Sequence, residues 1–393
     1  MLPNYFQFYC PVKILSGKLA VSNIPYELRL LGCKRPMLIT DIGVIEAGLI
    51  DIVKAAFEDC ASEITCIFSE VPPDSETGIV KKAVNLFNTK NCDCFIALGG
   101  GSVMDTAKCV NMVVSEDRDL MSLQGLDKIT KDLKPVIAVP TTAGTGSEAT
   151  RVAVIYDQDT QTKMAFVSDK LFVDIAVIDP EMTLTLPPKS TAATGIDALT
   201  HAIEAFTGLQ KNPVSDAFAL STIELIVKYL LKAVQKPKDV DARMAMANAS
   251  LLAGISFSNS MVGLVHALAH ALGGVCRIPH GVANGVILPW ALETNIKKDT
   301  GQITNIAKLA PFLGDLQIYN NEIKQASASI FKIRELLVKL NNFTGLPLRL
   351  SDLGIEKEIL PEVALSALND GALIYNPGDI SYDDILAILK KAL

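Results

Sequence analysis

The stretch CDCFIALGGGSVMDTAK, residues 92–108, decides the fold, because an apolar run leads into a glycine triplet that opens a helical pattern. The run 92–98 predicts a buried strand, and the pattern 102–113 predicts the helix that follows. Ser102 and Asp105 are spaced as the N-cap and N3 residues of that helix. Unpaired N–H groups at a helix start, beside glycines without Cβ atoms, suit a bound pyrophosphate. A tight turn without a ligand explains an isolated glycine triplet equally well.

Strands alternate with helices on both sides of this stretch, which is typical of a parallel sheet covered on both faces. The other predicted strands are 36–40, 64–68 and 135–139, and the other predicted helices are 44–58 and 75–88. Three strand-like runs follow: VAVIYD at 152–157, KMAFVS at 163–168 and VDIAVID at 173–179. After Leu186-Pro187-Pro188 only helical patterns occur. We therefore expect an α/β domain over residues 1–187 and an all-helical domain over residues 188–393.

Two further features of the first half point to a dinucleotide. The loop TTAGTGS, residues 141–147, follows the strand after the glycine triplet, and neighbouring polar loops at strand ends mark ligand sites in open α/β sheets. Asp41 ends the strand 36–40, where a carboxylate accepts from a ribose 2′-OH and repels a 2′-phosphate, which favours NAD over NADP. Asp41 also suits the N-cap of the helix that begins near Val44, and the two roles are compatible.

Composition excludes several classes of protein. The formal charge is −7, 49% of residues are hydrophobic, and no Lys/Arg cluster is present, so neither a nucleic-acid nor a membrane partner is expected. Met1–Phe8 lacks the pattern of a signal peptide, and no window offers the roughly 18 apolar residues of a spanning helix.

Eight cysteines suggest a reducing compartment, so we expect a cytoplasmic protein. Cys92 and Cys94 are expected in the core rather than on a metal, because no second close pair exists in the sequence. The amount of apolar helical surface predicts a homo-oligomer.

The histidines form the sharpest pattern, since all four lie in the helical half, at positions 201, 266, 270 and 280. Asp197 precedes His201 by four residues, and His266 and His270 repeat that spacing, so a helix places each pair on one face. A carboxylate and three imidazoles bind divalent Fe, Zn, Co or Mn. A core histidine or a capping aspartate explains one member, but not the set, because an unpaired buried polar group costs about 1–3 kcal/mol.

The chain resembles the iron-containing (group III) alcohol dehydrogenase family over nearly its whole length. The resemblance rests on ordered segments: ALGGGSVMDTAK, VPTTAGTGSEAT, TAATGIDALTHAIEAF, FSNSMVGLVHALAHALGG and IPHGVANG. It implies a Rossmann-like dinucleotide domain and a helical domain with the metal in the cleft between them, the fold shared with dehydroquinate synthase. Three segments depart from the family pattern, namely Gly17-Lys18-Leu19-Ala20, Val71-Pro72-Pro73-Asp74 and Asn376-Pro377-Gly378.

The resemblance also implies roles for individual residues. The metal ligands would be Asp197, His201, His266 and His280, holding iron or, as an alternative, zinc. His270 would be an unligated catalytic histidine near the nicotinamide. The cofactor, NAD with NADP as a possibility, would be held by Gly99, Gly100, Gly101, Ser102, Thr141, Thr142, Thr145, Ser147 and Lys163 in addition to Asp41. The expected reaction is hydride transfer between a small primary alcohol or diol and the nicotinamide, with the metal as Lewis acid.

Two alternatives remain open. One keeps the fold and changes the chemistry to a glycerol or polyol dehydrogenase, or to a lyase that resembles dehydroquinate synthase. The other is a non-enzymatic NAD-binding protein with a structural metal, which requires four protein ligands and a closed site. Phe257, Met261, Leu264 and Cys276 are expected to line the substrate pocket, and their apolar or small side chains suggest an unbranched alcohol or a short diol.

Overall fold

The computed structural model describes residues 3–58, 60, 62–159 and 162–393. The described chain forms two compact units, one over Tyr9–Leu186 and one over Pro187–Leu393 together with residues 3–8. The first unit is α/β and the second is helical.

Parallel strands form the centre of the α/β unit. Its strands are β1 (Lys13–Ser16), β2 (Pro36–Ile39), β3 (Cys66–Phe68), β4 (Cys94–Gly99), β5 (Gly125–Leu126), β6 (Val136–Pro140), β7 (Val152–Asp157), β8 (Thr162–Val167) and β9 (Ile175–Ile178). Among the described residues, six of them form one parallel sheet in the order β1-β9-β6-β4-β2-β3. β5, β8 and β7 form a second, smaller sheet in which β7 and β8 are antiparallel. The parallel sheet was predicted from the sequence.

Both faces of the main sheet are covered, which explains why its central strands β2, β4, β6 and β9 are apolar without interruption. Side chains alternate along β4, so that Phe95 and Ala97 enter one core cluster whereas Ile96 and Leu98 enter the other. The covering helices are α1 (Ile24–Leu30), α2 (Ile42–Glu46), α3 (Leu49–Ala55), α4 (Thr77–Thr89) and α5 (Gly101–Glu116). The single helix predicted over 44–58 is wrong, because Gly48 adopts a left-handed φ of 74° and divides it into α2 and α3.

The cysteines of this unit lie closer together than the sequence indicated. Cys94 is fully buried on β4, as expected for a core residue, but Cys92 Sγ lies 3.5 Å from Cys66 Sγ. Cys33, Asp93 and Cys94 also bring one ligand atom each within 4.8 Å of one another. The carboxylate of Asp93 already accepts the backbone N–H groups of residues 34 and 35, at 3.1 and 2.8 Å. Tertiary packing therefore brings together cysteines that are far apart in the sequence, where spacing does not reveal them.

The second unit is built from helices: α6 (Pro188–Thr207), α7 (Pro213–Gln235), α8 (Val240–Ser258), α9 (Leu264–Cys276), α10 (His280–Lys298), α11 (Gly301–Ala307), α12 (Glu322–Thr344), α13 (Leu360–Leu368) and α14 (Tyr382–Ala392). α6 is central, since it packs against α7, α8 and α10, and α9 packs against α10. Pro188 occupies the first turn of α6, where its missing N–H costs nothing. Within the described ranges, every helix is too short or too polar to cross a membrane.

Candidate functional site

Four side chains from three helices of the second unit converge on one point. Asp197 and His201 lie one turn apart on α6, His266 lies on α9, and His280 is the first residue of α10. Asp197 Oδ1 lies 3.5 Å from His280 Nε2, 3.9 Å from His266 Nε2 and 4.0 Å from His201 Nδ1. Donor atoms about 2.0–2.1 Å from a tetrahedral ion are about 3.3 Å apart, so a small inward movement completes such a site.

The electrostatics of this set also fit a cation. Asp197 is buried, which raises the pKa of its carboxyl, and no Lys or Arg side chain in the described ranges forms an ion pair with it. Burial holds the pKa of His266 well below its usual range, so its imidazole is neutral and has a lone pair to offer. A buried carboxylate beside the neutral imidazole of His266 is stabilised by a positive partner, and a divalent ion supplies one.

Aromatic contacts hold the histidine rings in place. The His201 ring stacks on Phe257, with centroids 4.2 Å apart, and on His266, with centroids 4.4 Å apart. His270 is not one of the four convergent donors, but its ring stacks on that of His280 at 5.3 Å. The Nδ1 of His270 lies 2.9 Å from Asp370 Oδ2, and 31% of its side chain is exposed. His270 is therefore next to the donor set and in contact with water.

Sequence reasoning missed three residues of this site. Asn284 donates to Asp197 Oδ1 at 2.7 Å, Glu204 accepts from His266 Nδ1 at 2.6 Å, and Asp370 contacts His270. A local signal existed for two of them, since Glu204 falls seven residues after Asp197 and Asn284 falls four after His280. Asp370 is distant in sequence from the histidine that it contacts, and it has no such signal.

The two polar loops of the α/β unit meet at the ends of neighbouring strands. Gly99 on β4 pairs with Pro140 on β6, and the Thr141 N–H donates to the Gly99 carbonyl at 3.0 Å. A Cβ on Gly100 would lie 3.3 Å from Thr142, and one on Gly101 would lie 2.8 Å from Thr145 Cγ2. The glycines thus let the two loops approach each other, at the strand ends where open α/β sheets bind ligands.

Ser102 does not have the capping role expected for it. The N-cap of α5 is Gly100, so Ser102 lies inside the first turn, and its Oγ accepts the Asp74 N–H at 3.2 Å. Asp105 instead accepts from Ser147 Oγ at 2.8 Å and from the Val154 N–H at 3.0 Å. The helix begins earlier than the spacing suggested, because Gly101 is itself helical.

A buried lysine holds the second loop against α5. Lys108 Nζ donates to the carbonyls of Ser147, Thr150 and Val152, at 2.7, 2.9 and 3.0 Å. Burial lowers the pKa of Lys108 to about 8, while the neighbouring carboxyl of Glu148 has its pKa raised to about 7 by its own burial. The sequence did not indicate this role for Lys108.

Asp41 and Lys163 lie at the surface of the same unit. Asp41 Oδ1 accepts the Val44 N–H at 2.9 Å, so the capping role is confirmed. Asp41 follows β2, the strand next to β4 at the point where the strand order reverses. Lys163 Nζ forms an ion pair with Asp74 at 3.0 Å, and Asp74 is the residue whose N–H reaches Ser102.

Of the four residues expected to line a substrate pocket, Phe257 lies next to the donor set, because its ring stacks on that of His201. Met261 adopts a left-handed φ of 65° in the turn that leads into α9, and Cys276 is half-buried at the end of that helix. Leu264 has no exposed surface, so it belongs to the core and not to an accessible wall.

Comparison with known proteins finds a matching family model for each of the two units. Residues 11–180 match the model for iron-containing alcohol dehydrogenase, and residues 191–393 match the C-terminal model of the Fe-containing alcohol dehydrogenase family. The chain is 35% identical to the NAD-dependent methanol dehydrogenase of Bacillus methanolicus, over 98% of this chain and 99% of that protein. It is 36% identical to the 1,3-propanediol dehydrogenase of Klebsiella pneumoniae, over 98% of each chain. A solved structure of 1,3-propanediol oxidoreductase superposes with a TM-score of 0.93 at 35% identity, over 99% of this chain and 100% of that one.

Proposed function

Because the chain belongs to the iron-containing alcohol dehydrogenase family, we propose that it interconverts a small primary alcohol or diol and its aldehyde with NAD(H). The observation that carries this proposal is the convergence of a buried carboxylate and three imidazoles from α6, α9 and α10. The chain is thus an oxidoreductase that acts on CH–OH groups.

Asp197, His201, His266 and His280 would hold the metal, which we propose to be Fe(II), with Zn(II) as the alternative that the same donors accept. When bound, the ion would supply Lewis acidity toward the substrate hydroxyl, and the nicotinamide would serve as the hydride acceptor. Phe257 and His266 pack against the two faces of the His201 ring and keep its orientation. Asn284 fixes the Asp197 carboxylate by donating to Oδ1.

His270 is the proposed catalytic residue. Since a carboxylate can only accept, Nδ1 of His270 donates to Asp370, which leaves the Nε2 lone pair available to take up the substrate proton. The exposed third of this side chain gives the proton a route to water. In the direction of aldehyde reduction the same nitrogen returns a proton.

The α/β unit would bind the dinucleotide. Gly99, Gly100, Gly101 and Ser102 at the start of α5 suit the pyrophosphate, and Thr141, Thr142, Thr145 and Ser147 form the neighbouring loop. Asp41 would accept from the adenosine ribose, which favours NAD over the alternative NADP. Lys163, held by Asp74 beside Ser102, would contact the cofactor.

Three broader assignments complete the proposal. Residues 1–187 would serve as the dinucleotide domain and residues 188–393 as the metal and substrate domain. Exposed apolar side chains such as Leu316 and Ile318 support a homo-oligomer. The eight thiols support a cytoplasmic location.

The competing function as a structural metal protein fits the geometry less well. A structural site is closed to solvent, whereas 29% of the His280 side chain and 31% of the His270 side chain are exposed. Relatives named as alcohol and propanediol dehydrogenases favour alcohol chemistry over the lyase alternative.

The test is NADH formation with ethanol, 1-butanol and 1,3-propanediol on protein loaded with Fe(II) without oxygen, beside a chelator-treated control. We expect turnover that depends on the metal, and the ranking of the three alcohols then defines the pocket. Tight binding of metal and NAD without turnover of any of them would favour the polyol or lyase alternatives.

A further inference from the structure

Helix α9 begins without a cap of its own. Its N-cap residue is Gly263, which has no side chain to accept the first N–H groups. Those groups donate instead to side chains from elsewhere in the unit. Glu204 on α6 accepts the Gly263 N–H at 2.9 Å and the Val265 N–H at 2.6 Å, and Asn376 accepts the Leu264 N–H at 3.1 Å.

The same Glu204 carboxylate also contacts a histidine ring. Glu204 Oε2 lies 2.6 Å from His266 Nδ1, and the carboxylate can only accept this hydrogen bond. Because both oxygens of Glu204 also accept backbone N–H groups, we assign the proton of His266 to Nδ1, which leaves the lone pair on Nε2. That Nε2 is the atom 3.9 Å from Asp197 Oδ1, inside the convergent donor set.

The close approach of these groups depends on the absence of a side chain at residue 263. A Cβ on Gly263 would lie 2.9 Å from Asn376 Oδ1 and 3.3 Å from Glu204 Oε1. Glu204 is 4% exposed, so its charge is removed from water and depends on these hydrogen bonds. One carboxylate thus fixes both the first turn of α9 and the ring that this turn carries.

We propose that Glu204 is a positioning residue that fixes the tautomer and ring orientation of His266 and thereby sets the metal affinity of the centre. The inference rests on the proposed role of His266 as a ligand. A carboxylate that accepts from the second nitrogen of a ligating histidine typically contributes 10–100-fold in metal affinity. Asn376 accepts an N–H of the same helix start without an observed contact to His266, so it offers a matched control.

The experiment measures the Co(II) dissociation constant of chelator-stripped protein by competition with a chelator, together with the visible Co(II) spectrum and the unfolding temperature of the apoprotein. For Glu204→Gln, which keeps the size of the side chain, we expect about 10–100-fold weaker binding and an altered spectrum. For Asn376→Ala we expect a lower unfolding temperature with a dissociation constant within about threefold of wild type.

The outcomes separate the two levels of the argument. If the wild-type protein binds no Co(II), the metal assignment fails and this inference fails with it. If wild type binds but Glu204→Gln binds equally well, or if both variants weaken binding equally, Glu204 is only a helix cap and this inference alone is overturned. Should Glu204→Gln not fold, Glu204→Asp keeps the charge but withdraws it from Nδ1. It is expected to weaken Co(II) binding at least tenfold, and wild-type affinity would overturn the inference.

Discussion

Substituting Gly281 by alanine tests whether the close packing of α10 on α6 sets the geometry of the metal centre. Gly281 follows His280, and a Cβ there would overlap the backbone of Ala193 on α6, approaching its carbonyl oxygen and lying 2.8 Å from its carbonyl carbon. Rotating a side chain cannot relieve an overlap with backbone atoms. The start of α10 must therefore move away from α6.

The size of this movement follows from the distances. Restoring an ordinary contact of 3.4 Å to the Ala193 carbonyl carbon from 2.8 Å requires about 0.6 Å of displacement as a minimum, because the carbonyl oxygen lies closer still. Metal sites tolerate only about 0.2 Å in donor distances, so His280 leaves its position relative to Asp197. Overpacking costs about 1–3 kcal/mol, whereas the gain in helix propensity from glycine to alanine is at most about 1 kcal/mol. The free-energy cost of the steric overlap is therefore larger than the gain in helix propensity.

We expect Gly281→Ala to bind Co(II) at least about tenfold more weakly than wild type and to unfold at a lower temperature. Gly285→Ala is the matched control on the same helix, because its Cβ would meet only side-chain methyl groups of Ile196 and Leu337, at 3.2 and 3.4 Å. It should keep wild-type affinity. Chelator competition and thermal unfolding measure both effects, and wild-type Co(II) affinity in Gly281→Ala would refute the reasoning.

Three further predictions concern single side chains. Burial raises the pKa of Glu148 to about 7 from 4.5, so the folded state retains a proton that the unfolded state has released, and stability falls as pH rises between these values. Glu148→Gln should therefore gain up to about 3 kcal/mol above pH 7 and nothing below pH 4.5 in denaturant unfolding, and an equal gain at both pH values would contradict this account. Asp41→Ser keeps a capping oxygen but removes the charge, so the ratio of kcat/KM with NAD to kcat/KM with NADP should fall at least about tenfold. An unchanged ratio would show that Asp41 does not select between the two cofactors. His270→Ala should retain its metal but lose about 100-fold in kcat, whereas His266→Ala should lose metal and activity together, as metal analysis beside steady-state kinetics will show.

Much of the α/β unit could be predicted because its strands are apolar on both faces. The run into Gly99 is uninterrupted, and a short apolar run that ends at a glycine triplet is typical of a buried parallel strand. β1 was missed because Lys13–Ser16 lies at the edge of the sheet and is largely exposed, so it lacks an apolar run. The break at Gly48 was missed because the apolar pattern continues on both sides of that residue.

The donor set of the metal centre was predictable for a different reason. Helical spacing of four residues places Asp197 and His201 together, and histidines are rare enough in this chain to stand out. The supporting residues were harder to identify. Asp370 reaches His270 only through tertiary packing, and Glu204 gave a periodic signal that also fits an ordinary helix face.

The most direct test of the central claim is an anaerobic titration of chelator-stripped protein with Fe(II), following bound iron and NAD-dependent oxidation of 1,3-propanediol in the same samples. We expect both to rise together and to reach a plateau at one ion per chain, because the four donors Asp197, His201, His266 and His280 form one site. Full activity in the metal-free protein, or iron binding that leaves activity at zero with every alcohol tried, would contradict the account.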